Sequence, residues 1–371
     1  MRGPRSKSGF DDGSAGGPDA ITPDIAFSAC RFQDKTMTLP FEPISFARAL
    51  IDIDSTTGNE GPAGEWLARE LRALGYTVVE QPLERGCANV IATLDPPVVV
   101  FSTHFDCVPP FFPSRVENGR LYGRGSCDAK GILAAQVAAA ERLRASGERR
   151  VGLLFVAGEE RGSDGAMAAN AIAPGSRFLI NGEPTDNRLA AATRGVLRLR
   201  VVASGRAAHS AVPEQGESAI DKLIDALILL RSIRLPADTD LGATHYSIGL
   251  IEGGVAPNVI SPHASAELLF RTVGPVAGIL EAIRPLEALV TSEEILRVPD
   301  VRLQTVPGFD TAVFSFTTDV PFLDRWGAPL LFGPGSILVA HTSDEHLEIA
   351  ELNRAIDAYE HLAAACLASA R

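Results

Sequence analysis

Long apolar runs are missing from this chain of 371 residues. No stretch approaches the roughly 20 residues that span a bilayer, so no membrane partner is expected. Basic blocks are missing as well, apart from the first few residues. Lys and Arg number 34 against 46 Asp and Glu, a formal charge of -12, which argues against nucleic acid or an anionic lipid surface as partner. Cysteine is scarce and shows no pairing pattern. The five (Cys30, Cys87, Cys107, Cys127 and Cys366) are scattered without a CxxC spacing, so neither a thiolate zinc knuckle nor a disulfide framework is indicated. Free thiols fit a reducing, cytoplasmic location. A G-x-S-x-G elbow is absent too, which disfavours a Ser-His-Asp hydrolase. The start, Met1 to Lys7, is basic but lacks the apolar core of a secretory signal. Residues 1–36 are rich in Gly, Asp, Pro and Ser and read as a disordered extension, which makes Met37 an alternative start.

What remains is ordinary for a soluble enzyme, with 46% hydrophobic and 22% charged residues. The length predicts two domains. Helical spacing begins near residue 43 (Phe46, Leu50, Ile51) and recurs through Trp66, Leu67, Leu71 and Leu74 up to Gly75. Short apolar strands are predicted at 77–81, 89–94, 98–103, 151–157 and 178–180, with an alanine-rich helix at 130–145. Strands alternating with helices, several apolar on both faces, predict an α/β sheet covered on both sides. From 194 to 303 the rhythm becomes strand (195–203), helix (217–233), strand (244–252), strand (263–271), helix (275–289), strand (299–304). That β-α-β-β-α-β order predicts a ferredoxin-like unit inserted into the larger domain. The expected organisation is therefore an extension at 1–36, a first catalytic part at 37–193, the insert at 194–303 and a second catalytic part at 304–371, closing with a helix at 346–368.

Several short stretches concentrate reactive groups. Phe101 to Asp106 places His104 and Asp106 two apart where an apolar strand ends. Residues two apart on a strand point the same way, so Asp106 could brace one ring nitrogen of His104 while the other binds a metal. The run Gly123-Arg124-Gly125-Ser126-Cys127-Asp128-Ala129-Lys130-Gly131 precedes the long helix, but it misses G-x-G-x-x-G spacing because Asp128 holds the last position. Glu159 and Glu160 follow a buried strand, a place where open α/β sheets assemble sites. One could bind a metal while the other serves as general base. Glu183 after Asn181-Gly182 repeats the layout, and His341 in Ala340-His341-Thr342-Ser343-Asp344-Glu345 sits before the last helix. Taken singly, each has a plainer reading: a surface histidine and turn aspartate, an N-cap at Asp128, a solvated acidic turn, a capping histidine. Together His104, Asp128, Glu160, Glu183 and His341 make two imidazoles and three carboxylates, a donor set suited to zinc and similar divalent metals. With one carboxylate bridging, each ion receives one histidine and one terminal carboxylate.

Taken in order, these stretches, together with Ala208-His209-Ser210 and Pro213, resemble the zinc-dependent aminoacylase and carboxypeptidase family that includes acetylornithine deacetylase and succinyl-diaminopimelate desuccinylase. The resemblance runs from about residue 40 to the end. It implies a mixed-sheet zinc-hydrolase domain holding two divalent ions, zinc first and cobalt second. His104 and Glu183 would hold one ion, Glu160 and His341 the other, with Asp128 bridging, Glu159 as general base and Asp106 orienting His104. It makes the insert a lid and the surface of a homodimer. His209 would help stabilise an oxyanion, while Asn258 and Arg271 would recognise a substrate carboxylate. The plainer readings there are a loop histidine and an exposed strand-end charge.

The implied activity is hydrolysis of the N-acyl amide of a small acylated amino acid. Gly333-Pro334-Gly335-Ser336 before Ala340-His341 is most similar to acetylornithine deacetylases, which points to N-acetylornithine or N-acetylcitrulline and to arginine biosynthesis. Thr342-Ser343 departs from the Gln-Pro usual there, and Ser261 from the family's Pro. A dipeptidase or carboxypeptidase of the same family is the alternative, and succinyl-diaminopimelate desuccinylase the second. A catalytically dead relative is disfavoured, since all six metal and base positions are intact.

Overall fold

The computed structural model describes residues 41–370, so the expected extension at 1–36 lies outside the described residues. Helices α1 (Pro43–Ile51) and α2 (Gly61–Ala73) come first, each with a proline in its first turn, where the missing N–H costs nothing. Gly75 takes φ +93° after α2, and the Tyr76 N–H reaches the Leu71 carbonyl at 3.1 Å, the left-handed cap expected there.

Strands β1 (Thr77–Pro82), β2 (Ala88–Thr93) and β3 (Val99–His104) are followed by α3 (Lys130–Ala145) and β4 (Val151–Val156). Next come α4 (Glu159–Gly162), α5 (Asp164–Asn170) and β5 (Phe178–Asn181). The insert contributes β6 (Gly195–Ser204), α6 (Ala219–Ser232), β7 (His245–Gly253), β8 (His263–Thr272), α7 (Val276–Ile283) and β9 (Thr291–Val298). Strand β10 (Ala328–Leu331) and helix α8 (Ile349–Ser369) close the chain.

The main sheet has the order β1-β2-β4-β3-β5-β10. Its first pairs are antiparallel, whereas β4, β3, β5 and β10 run parallel, a mixed sheet. Val99 and Phe101 face the large core under α3, while Val100 faces a second cluster with Leu154, Leu179 and Trp326. Both faces are covered, which is why these strands read as continuous apolar runs. Helix α3 is buried almost all round because it packs against α1, α8, β3 and β4. Its many alanines let neighbours approach closely.

The insert's sheet runs β7-β8-β6-β9, antiparallel throughout, with its own core of Leu197, Leu199, Leu223, Leu230, Phe270 and Ile279. The element order is the expected β-α-β-β-α-β, with one correction. The last strand is Thr291–Val298, not 299–304; Val301–Arg302 instead pairs with Leu189–Thr193 in a separate small sheet. Strand β9 is exposed along nearly its whole length, so its sequence shows no apolar alternation to read.

Candidate metal centre

Four parallel strands direct their carboxyl ends to one place. Strand β3 ends on His104, and β4 leads through Ala157-Gly158 to Glu159 and Glu160 at the start of α4. Strand β5 leads to Glu183, and β10 to the loop that carries His341. Asp128 comes from the loop before α3. Carboxyl ends of parallel strands are where open α/β sheets build sites.

Asp128 lies between the two histidines. Its Oδ1 is 3.1 Å from His104 Nε2, and its Oδ2 is 3.3 Å from His341 Nε2. His341 Nε2 is also 3.0 Å from Glu160 Oε1. Two donor triads result, His104–Asp128–Glu183 and Asp128–Glu160–His341, each with its ligand atoms within 4.8 Å of one another. Asp128 belongs to both. It is not the N-cap of α3, a position held by Ala129. His341 adopts φ +63°, a backbone conformation uncommon for a residue with a Cβ and frequent at functional sites.

Asp106 supports this arrangement from behind. Its backbone carbonyl is 3.0 Å and its carboxylate 3.5 Å from His104 Nδ1. The same carboxylate accepts the N–H groups of Glu159 at 3.2 Å and Glu160 at 3.1 Å. One buried side chain therefore sets both the histidine ring and the acidic turn.

Three further residues had no role in the sequence reading, although Lys130 and Glu345 stand inside runs quoted there. Buried Glu345 accepts the N–H groups of Gly125, Cys127 and Asp128 at 3.0–3.1 Å and the Arg124 guanidinium at 2.6 Å, fixing the loop that presents Asp128. Its only sequence signal was its place after Asp344 in the His341 run. Lys130 donates from within the core to the carbonyls of Leu50 and Ile53. Asp319 is buried with neither carboxylate oxygen hydrogen-bonded, and no spacing marks it.

The electrostatics point to missing positive charge. Burial pushes the carboxyls of Glu159 and Glu183 well above the usual range, with other acids nearby adding to the effect, and raises Glu160 too. Burial likewise lifts Asp319 to about 6. The His341 imidazole rises to about 10 through its bonds to Asp128 and Glu160. Burial alone would lower His104, but Asp106 and Asp128 on its two nitrogens hold it well above normal. Asp128 is opposed by burial yet held below the usual carboxylate range by both histidines. Glu183 Oε1 is buried with no hydrogen-bond partner. Acids that resist ionising beside imidazoles that gather protons are short of cations, and two divalent ions would balance the carboxylates of Asp128, Glu159, Glu160 and Glu183. The donor set fits such a pair.

A cavity of about 440 Å³ opens onto this cluster. Arg271, near the end of β8, also lines it. His209 and Asn258 lie together on loops of the insert, with the Ser210 N–H on the Asn258 carbonyl at 3.0 Å, and neither lines the cavity. A second cavity of about 420 Å³, beside Cys87 and Met167, contains none of the five donors.

A family model described as peptidase family M20/M25/M40 matches residues 100–365, more than half of the chain. The chain belongs to this family. Its M20 relatives include a peptidase M20 domain-containing protein of Schizosaccharomyces pombe, 36% identical, with 86% of this chain and 83% of that protein covered. A probable carboxypeptidase of Aspergillus clavatus is 35% identical over 88% of this chain and 83% of its own length. Among solved structures, a tripeptidase from Staphylococcus aureus has the same fold, with a TM-score of 0.75 at 20% identity, covering 89% of this chain and 98% of that one. A dinuclear metal-binding M20 peptidase from Bacillus subtilis gives a TM-score of 0.67 at 17% identity, covering 86% and 96%. As an M20 member the chain is a hydrolase of amide bonds.

Proposed function

We propose that this chain is a two-metal amidohydrolase of the carboxypeptidase type, releasing an amino acid with a free carboxylate from an acyl or peptidyl group. The observation that supports this most directly is the shared position of Asp128 between His104 and His341, with Arg271 lining the same cavity. The relatives named as probable carboxypeptidases favour this alternative over acetylornithine deacetylation. Deacetylation is the same reaction with a smaller acyl group, and the Gly333-Pro334-Gly335-Ser336 run supports it as a second reading.

His104 and Glu183 would hold one ion, and Glu160 and His341 the other, with Asp128 shared; zinc suits this mixed nitrogen and oxygen set, and cobalt is next. When bound, such a pair acidifies water and polarises a carbonyl. Glu159 takes the proton from the attacking water and returns it to the departing amine nitrogen, a role matched to a carboxyl whose proton affinity burial has raised. Arg271 holds the substrate carboxylate, whose two oxygens match the guanidinium fork. Asp106 keeps the His104 ring turned.

Residues 194–303 act as the lid that carries His209 and Asn258 onto the substrate, between the catalytic parts at 37–193 and 304–371. They also form a homodimer contact. Edge strand β7 exposes Leu250 and Ile251, and α6 exposes Ile224 and Ile228, a template for a second copy. Among the described residues Cys87, Cys107, Cys127 and Cys366 are free, which supports a cytoplasmic location, and no helix is long and apolar enough to cross a membrane.

The test is elemental analysis of the purified chain combined with assays of amino-acid release from N-acyl amino acids and dipeptides, before and after chelation. The expected result is two metals per chain and activity lost on chelation and restored by zinc. Absence of turnover on every substrate, with metal bound, would reject the proposal.

A further inference from the structure

The cavity beside the metal donors has a lining of mixed character. It includes the acids of the cluster. It also includes Leu296 and Val298 from β9, and Phe316, Phe322 and Ile337 from the segments before and after β10. Leu296 is 42% exposed and Ile337 39% exposed, while both phenylalanines are only partly buried. Apolar surface left open beside a charged site is a feature of ligand-binding grooves, and it gains most when an apolar group covers it.

The charges in the cavity narrow the choice of ligand. The carboxylates that line it are Asp128, Glu159, Glu160 and Glu183, all of them belonging to the donor cluster or its base. Besides the donor His341, the basic residues there are Arg161 and Arg271. Arg161 already pairs with Asp164 at 3.2 Å. Arg271 is half-buried and, among the described residues, has no carboxylate at salt-bridge distance, although burial weakens its hold on its proton. A cationic substrate side chain would find two guanidinium groups and no spare acid. A substrate main-chain carboxylate, by contrast, would meet an arginine that lacks a partner.

Resting on the C-terminal amide hydrolysis proposed above, we infer that the residue released is a large apolar one, of the leucine or phenylalanine class. Its carboxylate sits on Arg271 and its side chain covers Leu296, Phe316, Phe322 and Ile337. Basic residues such as ornithine are selected against, which separates this site from acetylornithine deacetylation on physical grounds. Covering a side chain of this size corresponds to a preference of roughly 10- to 100-fold.

The experiment compares kcat/KM of the metal-loaded full chain for N-acetyl-Phe, N-acetyl-Leu, N-acetyl-Ala, N-acetyl-Glu and N-acetylornithine, together with the matching glycyl dipeptides. The expected order places Phe and Leu about 10-fold or more above Ala, with ornithine lowest. Two variants then move the ratio. Phe316→Ser should reduce the Phe-to-Ala ratio toward one. Leu296→Asp, at an exposed position of an edge strand where folding is least at risk, should lower the Phe substrate and raise the ornithine substrate. A wild-type enzyme that favours ornithine or glutamate, or treats all side chains alike, overturns this inference and leaves amide hydrolysis standing. Failure on every substrate with metal bound overturns both.

Discussion

Glu159 is held by its backbone rather than by its carboxylate. Asp106 accepts its N–H at 3.2 Å, and the carboxylate makes no hydrogen bond among the described residues. In the proposed role of general base, a carboxylate with free lone pairs can exchange protons without first breaking a bond. Glu159→Gln should therefore lower kcat by roughly 10²- to 10⁴-fold while bound metal, read by elemental analysis, remains at the wild-type level. Unchanged kcat would move the base elsewhere. Asp319 allows a test in pH. Burial raises its pKa from 3.8 to about 6, so the fold favours the protonated acid. That contribution is lost as pH rises between these values and stays lost above them. In metal-free protein, Asp319→Asn should gain stability over wild type at pH 7.5, by about 3 kcal/mol if the whole shift is realised, and gain almost nothing near pH 4. Denaturant melts at the two pH values measure this, and equal stabilities at pH 7.5 would mean that the ionised carboxylate is satisfied.

At the scale of elements, the loop before α3 depends on contacts from far along the chain. Glu345 gathers three N–H groups and the buried Arg124 guanidinium, and a Cβ at Gly131 would lie 2.2 Å from the Ser126 carbonyl oxygen. Glycine is required there because the first turn of α3 closes directly onto the loop. Glu345→Ala would leave Arg124 buried without its partner, a change that typically costs about 3–5 kcal/mol. It would also release the backbone that presents Asp128, weakening metal binding by roughly 10- to 100-fold. Urea unfolding and metal titration read these two effects separately. The central strands and α3 were legible because they are buried on both sides or on a strict period. Strand β9 was misplaced because an exposed edge strand has little apolar pattern, and Glu345 and Asp319 went unassigned because single acids have no periodicity.

Across the whole molecule, the main sheet and the insert have separate cores, while the cavity is lined from both, Arg271, Leu296 and Val298 coming from the insert. Ligands bound between two such cores stabilise the arrangement that binds them. The donor cluster itself opposes folding without cations, since its acids are buried among one another. Zinc at about 100 times its dissociation constant should add roughly 2.7 kcal/mol to the free energy of unfolding. The check is the denaturation midpoint of the chelated protein with and without zinc. An unchanged midpoint would mean that the cluster does not hold a metal in the folded state.

The chain sequence determined where the chemistry-bearing residues stand: at strand ends and in glycine-rich turns, each signalled by neighbours a few positions away. It also determined the alternation of elements, because burial imposes short periods that can be read directly. Which donors meet depends on the distances between segments remote in the chain. Local spacing left open which carboxylate would be shared, and the resemblance to a known family supplied Asp128; the geometry between His104 and His341 is a property of the fold. The buried Asp319, the clamp of Glu345 and the apolar part of the cavity lining were decided only by tertiary structure, since each arises from packing between elements that no local pattern connects.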